Sequence, residues 1–144
     1  MTIGEAAKAA QLSTKTVRYY ADIDLVTPAA RSSSGYRLYC SADLQKLQFV
    51  RRARSFGFSL KSCRELLGLY TSNRRTSRAV KAITLTQLED IERRIGELQS
   101  LHGELASLAA NCQGDDNAQC PIIDSFASQP QPGAGAAILS VSAR

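Results

Sequence analysis

Residues 2–20, "TIGEAAKAAQLSTKTVRYY", hold the pattern that decides the fold. Apolar residues recur with helical spacing on both sides of Ser13, which indicates two short helices joined by a tight turn. The two stripes are Ile3, Ala6, Ala7, Ala10 and Leu12, and then Val17, Tyr20 and Leu25. Ser13 stands where an N-cap belongs, because its hydroxyl can accept from the free backbone N–H groups of Lys15 or Thr16. The stretch therefore predicts a helix-turn-helix.

The second helix of this pair carries cations and aromatic rings where a recognition helix meets the major groove of DNA. Lys15 and Arg18 lie near its start, and Tyr19 and Tyr20 follow them. We expect one of the two rings to lie in the core and the other to reach a backbone phosphate. All four residues are therefore candidate DNA contacts.

Residues 26–40, "VTPAARSSSGYRLYC", predict a short hairpin or wing, because turn residues precede a stretch with strand character. Arg31, Tyr36 and Arg37 lie on this wing. A cationic wing suits contact with the sugar-phosphate backbone, which positions a protein on DNA without reading its sequence. A solvated loop without a DNA contact is the alternative interpretation.

A second helix pair is predicted after the wing. One helix lies in "SADLQKLQFVRRARSFGF" and ends at Gly57, and Ser59 caps the next, "LKSCRELLGLY". Because this pair repeats the helix-turn-helix rhythm, Arg54 and Lys61 are candidate phosphate contacts. Cys63 lies beside two leucines of the last helix, and we interpret it as a buried, inert thiol.

Positive charge is concentrated in the first half of the 144-residue chain. Residues 1–70 contain eleven Lys or Arg and five Asp or Glu, whereas residues 71–144 contain seven and eight. A basic half is typical of nucleic-acid binding, because each neutralised phosphate releases condensed counterions. The alternative is a charged surface that only keeps the protein soluble.

No apolar run is long enough to span a bilayer. We therefore predict a cytoplasmic protein that has no membrane partner.

Residues 81–111 predict one long helix with a coiled-coil seam, although the seam skips one phase. Its apolar residues follow one another at intervals of three and four: Leu88, Ile91, Ile95, Leu98, Leu101, Leu105 and Leu108. So small a chain cannot bury a stripe of this length alone, and a second copy is the natural partner. His102, the only histidine, adjoins the seam and is interpreted as a rim residue rather than a ligand.

Three stretches together resemble the MerR family of transcription regulators and, within it, the copper-responsive CueR/HmrR branch. They are "TIGEAAKAAQLSTKTVRYY", "SSSGYRLYCSADLQKLQFVRRARSFGFSL" and "CQGDDNAQCPII", and the resemblance covers about residues 1–126. It implies a homodimer that binds double-stranded promoter DNA. It also implies that the bound protein distorts an over-long promoter spacer, so that RNA polymerase transcribes copper resistance or efflux genes.

The predicted fold is mainly α and consists of five segments along the sequence. A winged helix-turn-helix DNA-binding domain takes residues 1–70, and a hinge takes 71–80. The dimerisation helix takes 81–111, and the resemblance implies that it pairs with its copy as an antiparallel coiled coil. A metal-binding loop and a short helix take 112–126. The tail, 127–144, is expected to be disordered and dispensable for sensing.

Cys112 and Cys120 frame the loop after the long helix, where both thiolates can converge on one ion. Two sulfurs are too few for Zn²⁺, which usually takes four ligands, but they suffice for linear coordination of a soft monovalent ion. We therefore predict Cu⁺, or Ag⁺ or Au⁺, as the cofactor. Asp115 and Asp116 are hard oxygen ligands and are expected to shape the turn instead. In similar proteins that sense divalent ions, a cysteine from the partner adds a ligand, and Ser77 stands at the matching position.

Three other functions are less well supported by the sequence. The two loop thiols could form a disulfide in a thiol redox-sensing transcription regulator, but the tight four-cysteine cluster of the family's iron–sulfur branch is absent. A structural zinc site could recruit Cys40 or Cys63, but these two lack paired spacing. An enzyme is not predicted, because the chain has one histidine, no phosphate-binding glycine loop and no nucleophile paired with a base.

Overall fold

The structure is a computed structural model that describes residues 1–73 and 76–128. Over these residues it is mainly helical, as predicted, with six helices and one short hairpin. Two compact units form, one from Met1 to Gln87 and one that begins at Leu88. The elements are α1 (Ile3–Ala10), α2 (Thr14–Asp22), β1 (Ala30–Arg31), β2 (Arg37–Leu38), α3 (Ser41–Ser55), α4 (Leu60–Thr71), α5 (Ser77–Asn111) and α6 (Pro121–Ala127).

Side-chain caps set the starts of the first two helices. Thr2 and Glu5 form a reciprocal capping box, in which each residue's backbone N–H donates to the other's side chain. The Ser13 hydroxyl accepts from the Thr16 backbone N–H at 3.0 Å, which confirms the predicted cap of α2. Gln11, at a φ of 57°, closes α1 in the left-handed conformation, so the chain turns sharply between the two helices. The predicted helix-turn-helix is thereby confirmed.

The core of the first unit lies where α1, α2, α3 and α4 pack together. Its members are apolar residues that follow the helical stripes, together with residues that flank the wing. Those with less than 2% exposure include Ala6, Val17, Val26, Leu47, Val50 and Cys63. The buried position of Cys63 confirms that this thiol is an apolar filler rather than a surface group.

The predicted wing is a two-stranded antiparallel hairpin with Ala30 opposite Leu38 and Arg31 opposite Arg37. At its tip the Ser32 backbone N–H donates to the Tyr36 carbonyl at 2.8 Å. Gly35 has a φ of 84°, a conformation that other residues rarely adopt, and this lets the chain reverse within a few residues. The wing is therefore a defined structure rather than a solvated loop.

A buried carboxylate joins the wing to helix α3. Asp43 is 4% exposed, and its Oδ2 accepts from the backbone N–H groups of Ala29 at 2.9 Å and Cys40 at 3.0 Å. These two bonds satisfy the carboxylate and fix the residue that precedes the helix. Cys40 is the N-cap of α3, and its thiol is exposed.

Helix α5 has 35 residues and begins at Ser77, earlier than the predicted start at 81. The prediction followed the apolar stripe and missed a cap, because the Thr76 hydroxyl accepts from the Ala79 backbone N–H at 3.2 Å. Since α4 ends at Thr71, the segment between the two helices is shorter than the predicted hinge, 71–80. The first turns of α5 belong to the first unit, where Ile83 packs against the core.

The apolar seam of α5 remains exposed in the single chain. No residue of this helix is buried, and Leu98 is 61% exposed. Several other seam residues are about half exposed, namely Leu88, Ile95 and Leu105. A helix with one exposed apolar stripe is stable in water only when another surface covers that stripe.

The end of the chain is described only in part. Helix α6 extends to Ala127, and residues 129–144, which hold most of the predicted disordered tail, lie outside the described residues. Among the described residues, no helix is both long enough and apolar enough to cross a bilayer.

Candidate metal centre and nucleic-acid interface

Four of the predicted DNA-contacting residues line one surface hollow. Arg18 projects from α2, Arg31 and Arg37 come from the two strands of the wing, and Tyr36 precedes the second strand. Thr2, Ile3 and Gly35 complete the lining. Three guanidinium groups beside an aromatic hydroxyl form a set of donors suited to phosphate oxygens, since Arg presents several N–H groups in a fixed plane.

The two tyrosines of α2 have different environments. Tyr19 is 48% exposed and remains available to a partner, whereas Tyr20 is 6% exposed and belongs to the core. Burial raises the pKa of the Tyr20 phenol, and the nearby Arg54 guanidinium opposes this rise. Tyr20 is therefore corrected from a candidate DNA contact to a core residue, as the helical stripe of the sequence already indicated.

The remaining candidate cations lie outside the hollow. Lys15 is exposed in the first turn of α2, and Lys61 is exposed in the first turn of α4. Arg54 donates from Nη1 to the Phe58 carbonyl at 2.7 Å, so part of its guanidinium already supports the turn between α3 and α4. The structure therefore does not bring Lys15, Arg54 or Lys61 together with the three arginines of the hollow.

Cys112 and Cys120 come together although the loop between them is open to solvent. Their sulfur atoms are 3.9 Å apart. Cys112 directly follows the last residue of α5, and Cys120 is the N-cap of α6, so the ends of two helices position the two thiols. A disulfide needs sulfurs about 2.05 Å apart, and both cysteines are free in the structure.

Turn chemistry within the loop brings these two helix ends together. Gly114 has a φ of 65°, and the Asp115 carboxylate accepts from the Asn117 backbone N–H at 3.0 Å and from its amide Nδ2 at 3.1 Å. Asp115 therefore shapes the turn, as expected, and its oxygens are engaged within the loop.

The start of α6 favours a thiolate at Cys120. Hydrogen bonding from the backbone N–H groups of Ile123, and then of Ile122, lowers the pKa of the Cys120 thiol, and the Cys112 side chain adds to this effect. Partial burial and the Asp124 carboxylate act in the opposite direction. Because the thiolate is the form of cysteine that binds metal, this environment prepares Cys120 to be a ligand.

The donor set near these two sulfurs is small. Over residues 1–73 and 76–128, no group of three or more His, Cys, Asp or Glu side chains could hold one metal ion. An ion midway between the two sulfurs would be about 2 Å from each, and metal–thiolate bonds of ~2.3 Å would require them to separate slightly. The pair therefore fits an ion that accepts two sulfur ligands.

Two family models match the chain, namely "MerR HTH family regulatory protein" over residues 1–69 and "MerR, DNA binding" over residues 44–108. Over 126 residues the chain is 46% identical to the "HTH-type transcriptional regulator CueR" of Salmonella typhimurium, an alignment that covers 88% of this chain and 91% of the relative. The chain belongs to the MerR family.

Other MerR family proteins match over similar lengths. The "Heavy metal-dependent transcription regulator 2" of Rhizobium meliloti is 45% identical over 127 residues, which cover 88% of this chain and 86% of the relative. The crystal structure of the regulator PbrR691 from Ralstonia metallidurans in complex with lead(II) superposes with a TM-score of 0.75 at 33% identity. That superposition covers 88% of this chain and 99% of the other. The family and these relatives are DNA-binding transcription regulators; one relative is named as heavy metal-dependent, and another was crystallised with lead(II).

Ser77, which the sequence resemblance predicts to influence metal selectivity, is the first residue of α5. It lines a surface depression with Thr76, Val80, Lys81 and Thr84, and the group contains no sulfur. Of the other cysteines, Cys63 is fully buried, and burial raises the pKa of its thiol. Neither Cys63 nor Cys40 belongs to a group of possible ligands within the described residues.

In this MerR family chain, one contact beside the basic hollow was not predicted from the sequence. Arg37 forms a salt bridge with Asp22 through an Nη2–Oδ1 distance of 2.6 Å. The four-residue interval between Arg18 and Asp22, which places both on one face of α2, was the available signal. Arg37, the partner of Asp22 in the wing, lies 15 residues further along the chain, so helical periodicity could not identify it.

Proposed function

We propose that this chain is a cytoplasmic, homodimeric regulator that binds promoter DNA and activates copper resistance or efflux genes. In this proposal Cys112 and Cys120 hold the signalling ion, Cu⁺ or its congeners Ag⁺ and Au⁺. The observation that carries it is the 3.9 Å separation of the two sulfurs, together with the lack of a third candidate ligand among the described residues.

Charge favours a monovalent ion at this pair. Two thiolates and one monovalent cation carry a net charge of −1, which the backbone N–H groups at the start of α6 can stabilise. A divalent ion seeks additional ligands, but Asp115 and Asp116 of the loop offer only hard oxygen donors, and Asp115 is already engaged in the turn. The number and type of ligands therefore favour the soft monovalent ions.

The relatives support metal sensing and leave the choice of ion to the local donor set. One is named as a heavy metal-dependent regulator, and another was crystallised with lead(II). We assign selectivity in this chain to the residue at the start of the partner's α5. Ser77 offers a hydroxyl there, which is a poor ligand for a soft ion, whereas a cysteine would add a third sulfur.

DNA binding is assigned to the basic hollow and the exposed residues beside it. Three arginines converge there, and Tyr36 is 74% exposed and free to donate to a phosphate. The exposed seam of α5 supports a second copy of the chain, paired as an antiparallel coiled coil. A dimer presents two such hollows to the two halves of one operator. RNA polymerase then acts on promoter DNA whose shape the bound dimer has changed.

Ion binding must favour one conformation over another in order to change transcription. Helix α6 begins immediately after Cys120, and its Ile123 and Phe126 side chains are 62% and 66% exposed. We propose that an ion held by both sulfurs fixes the position of α6 and thereby determines which surface these two apolar side chains contact. In the dimer, this change in the contacts of α6 alters the shape of the bound DNA.

An anaerobic titration tests this function. Reduced protein, titrated separately with Cu⁺ and Zn²⁺, should bind one tight Cu⁺ per chain and protect two thiols from alkylation, with Zn²⁺ held much more weakly. Cys112→Ser and Cys120→Ser should each abolish tight Cu⁺ binding. Cys40→Ser is the matched control, since Cys40 is exposed and serine is the better N-cap. Tight Cu⁺ binding by either loop variant would overturn the two-thiolate site.

Thiol redox sensing is the alternative that the short sulfur–sulfur distance supports. It predicts that mild oxidation forms a Cys112–Cys120 disulfide and activates transcription without metal. A promoter reporter in a strain whose copper is chelated separates the two functions. Activation by oxidant under these conditions would favour redox sensing, whereas activation only by copper would support the metal-responsive function.

A further inference from the structure

The two arginines of the wing are placed so that their charges oppose each other. Arg31 and Arg37 are direct partners across the hairpin, and like charges in that relation destabilise a two-stranded ribbon. The ribbon has only two residues in each strand, so its hydrogen bonds alone provide little rigidity. Contacts outside the ladder must therefore orient the two guanidinium groups.

Each guanidinium group has a different acceptor. Arg31 donates from Nη1 to the Gly35 carbonyl at 2.9 Å and so turns toward the tip of the wing. Arg37 donates from Nη2 to the Asp22 carboxylate at 2.6 Å and so turns toward α2. The Arg37 side chain is 22% exposed, and that of Asp22 is 54% exposed, so the arginine is the more enclosed partner.

The position of Asp22 determines where this contact places Arg37. Asp22 is the last residue of α2 and follows Arg18 by one helical turn on the same face. By holding Arg37 against that face, the carboxylate brings a cation of the wing beside a cation of the recognition helix. Both arginines then line the same hollow.

We propose that Asp22 is a positioning residue for DNA recognition: its carboxylate fixes the Arg37 guanidinium and sets the orientation of the wing relative to α2. This proposal rests on the DNA-binding function proposed above. Asp22 itself contacts no phosphate, because its charge would repel one. Its effect is transmitted through Arg37, so that the wing and the recognition helix engage the backbone in one register.

A role of Asp22 as a charge alone and a role in positioning Arg37 predict opposite changes in DNA affinity. If Asp22 acted only as a negative charge near DNA, its removal would strengthen the binding of every duplex to a similar degree. If Asp22 positions Arg37, its removal should weaken binding to a preferred duplex more than binding to an unrelated duplex. The ratio of the two affinities is therefore the quantity to measure.

The probe is a duplex enriched from a random-sequence library by the wild-type chain, compared with a scrambled duplex of the same length and composition. Asp22→Asn should lower the affinity ratio about fivefold, the size expected when exposed ion pairs are lost in both protomers. Asp22→Glu keeps the charge and should recover most of the ratio. Asp24→Asn is the matched control, because it removes the same charge two residues further along, from a residue in no salt bridge found among the described residues.

A double-mutant cycle separates positioning from general damage to the fold. In an Arg37→Gln background, Asp22→Asn should lower the ratio no further, because the contact is already lost. An unchanged ratio in the single variant, or a full additional loss in the Arg37→Gln background, would overturn the proposal while DNA binding by the wild type stands. If the wild-type chain enriches no duplex, the proposed DNA-binding function and the role of Asp22 fail together.

Discussion

Replacing Arg18 by alanine gives the most quantitative test of the nucleic-acid interface. Arg18 is exposed on α2 and lines the hollow formed with the wing. Each phosphate that a protein neutralises releases counterions, which makes log K fall with log salt by about 0.9 per contact. A dimer carries the substitution twice. Arg18→Ala should therefore reduce the steepness of this dependence by about 1.8, with lower affinity at low salt.

The assay is fluorescence anisotropy of the enriched duplex at several salt concentrations. Arg93→Ala is the matched control, since it also removes one arginine, from an exposed position on α5 in the second unit. Tyr36→Phe is a neutral comparison within the hollow. It should weaken binding by removing one hydroxyl, but it should leave the slope unchanged because no cation is lost.

Two results would contradict this reasoning. An unchanged slope for Arg18→Ala in a correctly folded dimer would remove Arg18 from the interface. An equal reduction for Arg93→Ala would show that the slope follows net charge rather than a contact in the hollow. Circular dichroism and sedimentation of each variant establish that helix content and oligomeric state are retained.

Three further predictions concern the second unit and the start of α5. Ser77→Cys should strengthen Zn²⁺ binding more than Cu⁺ binding in anaerobic titrations, because a third thiolate offsets the additional charge; unchanged Zn²⁺ affinity would show that Ser77 does not face the site. In metal-free protein, iodoacetamide should label Cys120 at lower pH than Cys63, since the pKa of Cys120 is lowered and that of buried Cys63 is raised; mass spectrometry showing the reverse order would contradict this. Leu98→Lys should dissociate the dimer in sedimentation experiments, whereas Gln99→Lys, the neighbouring control, should not; an intact Leu98→Lys dimer would place the seam elsewhere.

Features that depend on neighbouring residues could be predicted from the sequence. The cap at Ser13 requires only a hydroxyl placed three residues before a free backbone N–H, and the structure contains that contact. The alternation of turn and strand residues located the wing, and Gly35 adopts the positive φ that its tip requires. The fold class followed because these local signals all favour one arrangement.

Features that depend on competing signals were harder to predict. Tyr20 matches both an apolar stripe and a basic recognition helix, and only its 6% exposure decides in favour of the core. The apolar pattern predicts too late a start for α5, because Thr76 caps the helix before that pattern begins. The contact between Asp22 and Arg37 joins two elements across 15 residues, a separation at which no periodicity relates their side chains.

The local geometry around the Cys112 and Cys120 sulfur atoms supports the proposed sensing mechanism. An isolated cysteine pair would be mobile, and an ion would have to offset the entropy of ordering both thiols. Here the end of α5 holds Cys112, the start of α6 holds Cys120, and the Asp115 turn closes the loop between them. Because the helix ends and the turn order both thiols, more of the binding free energy remains for moving α6. In the proposed function, selectivity and response have separate origins: the number of sulfurs determines which ion binds, and the attachment of Cys120 to α6 determines what binding changes. A variant with a lengthened link between Cys120 and Ile122 should therefore retain Cu⁺ binding and lose activation of a promoter reporter; retained activation would show that the response does not pass through α6.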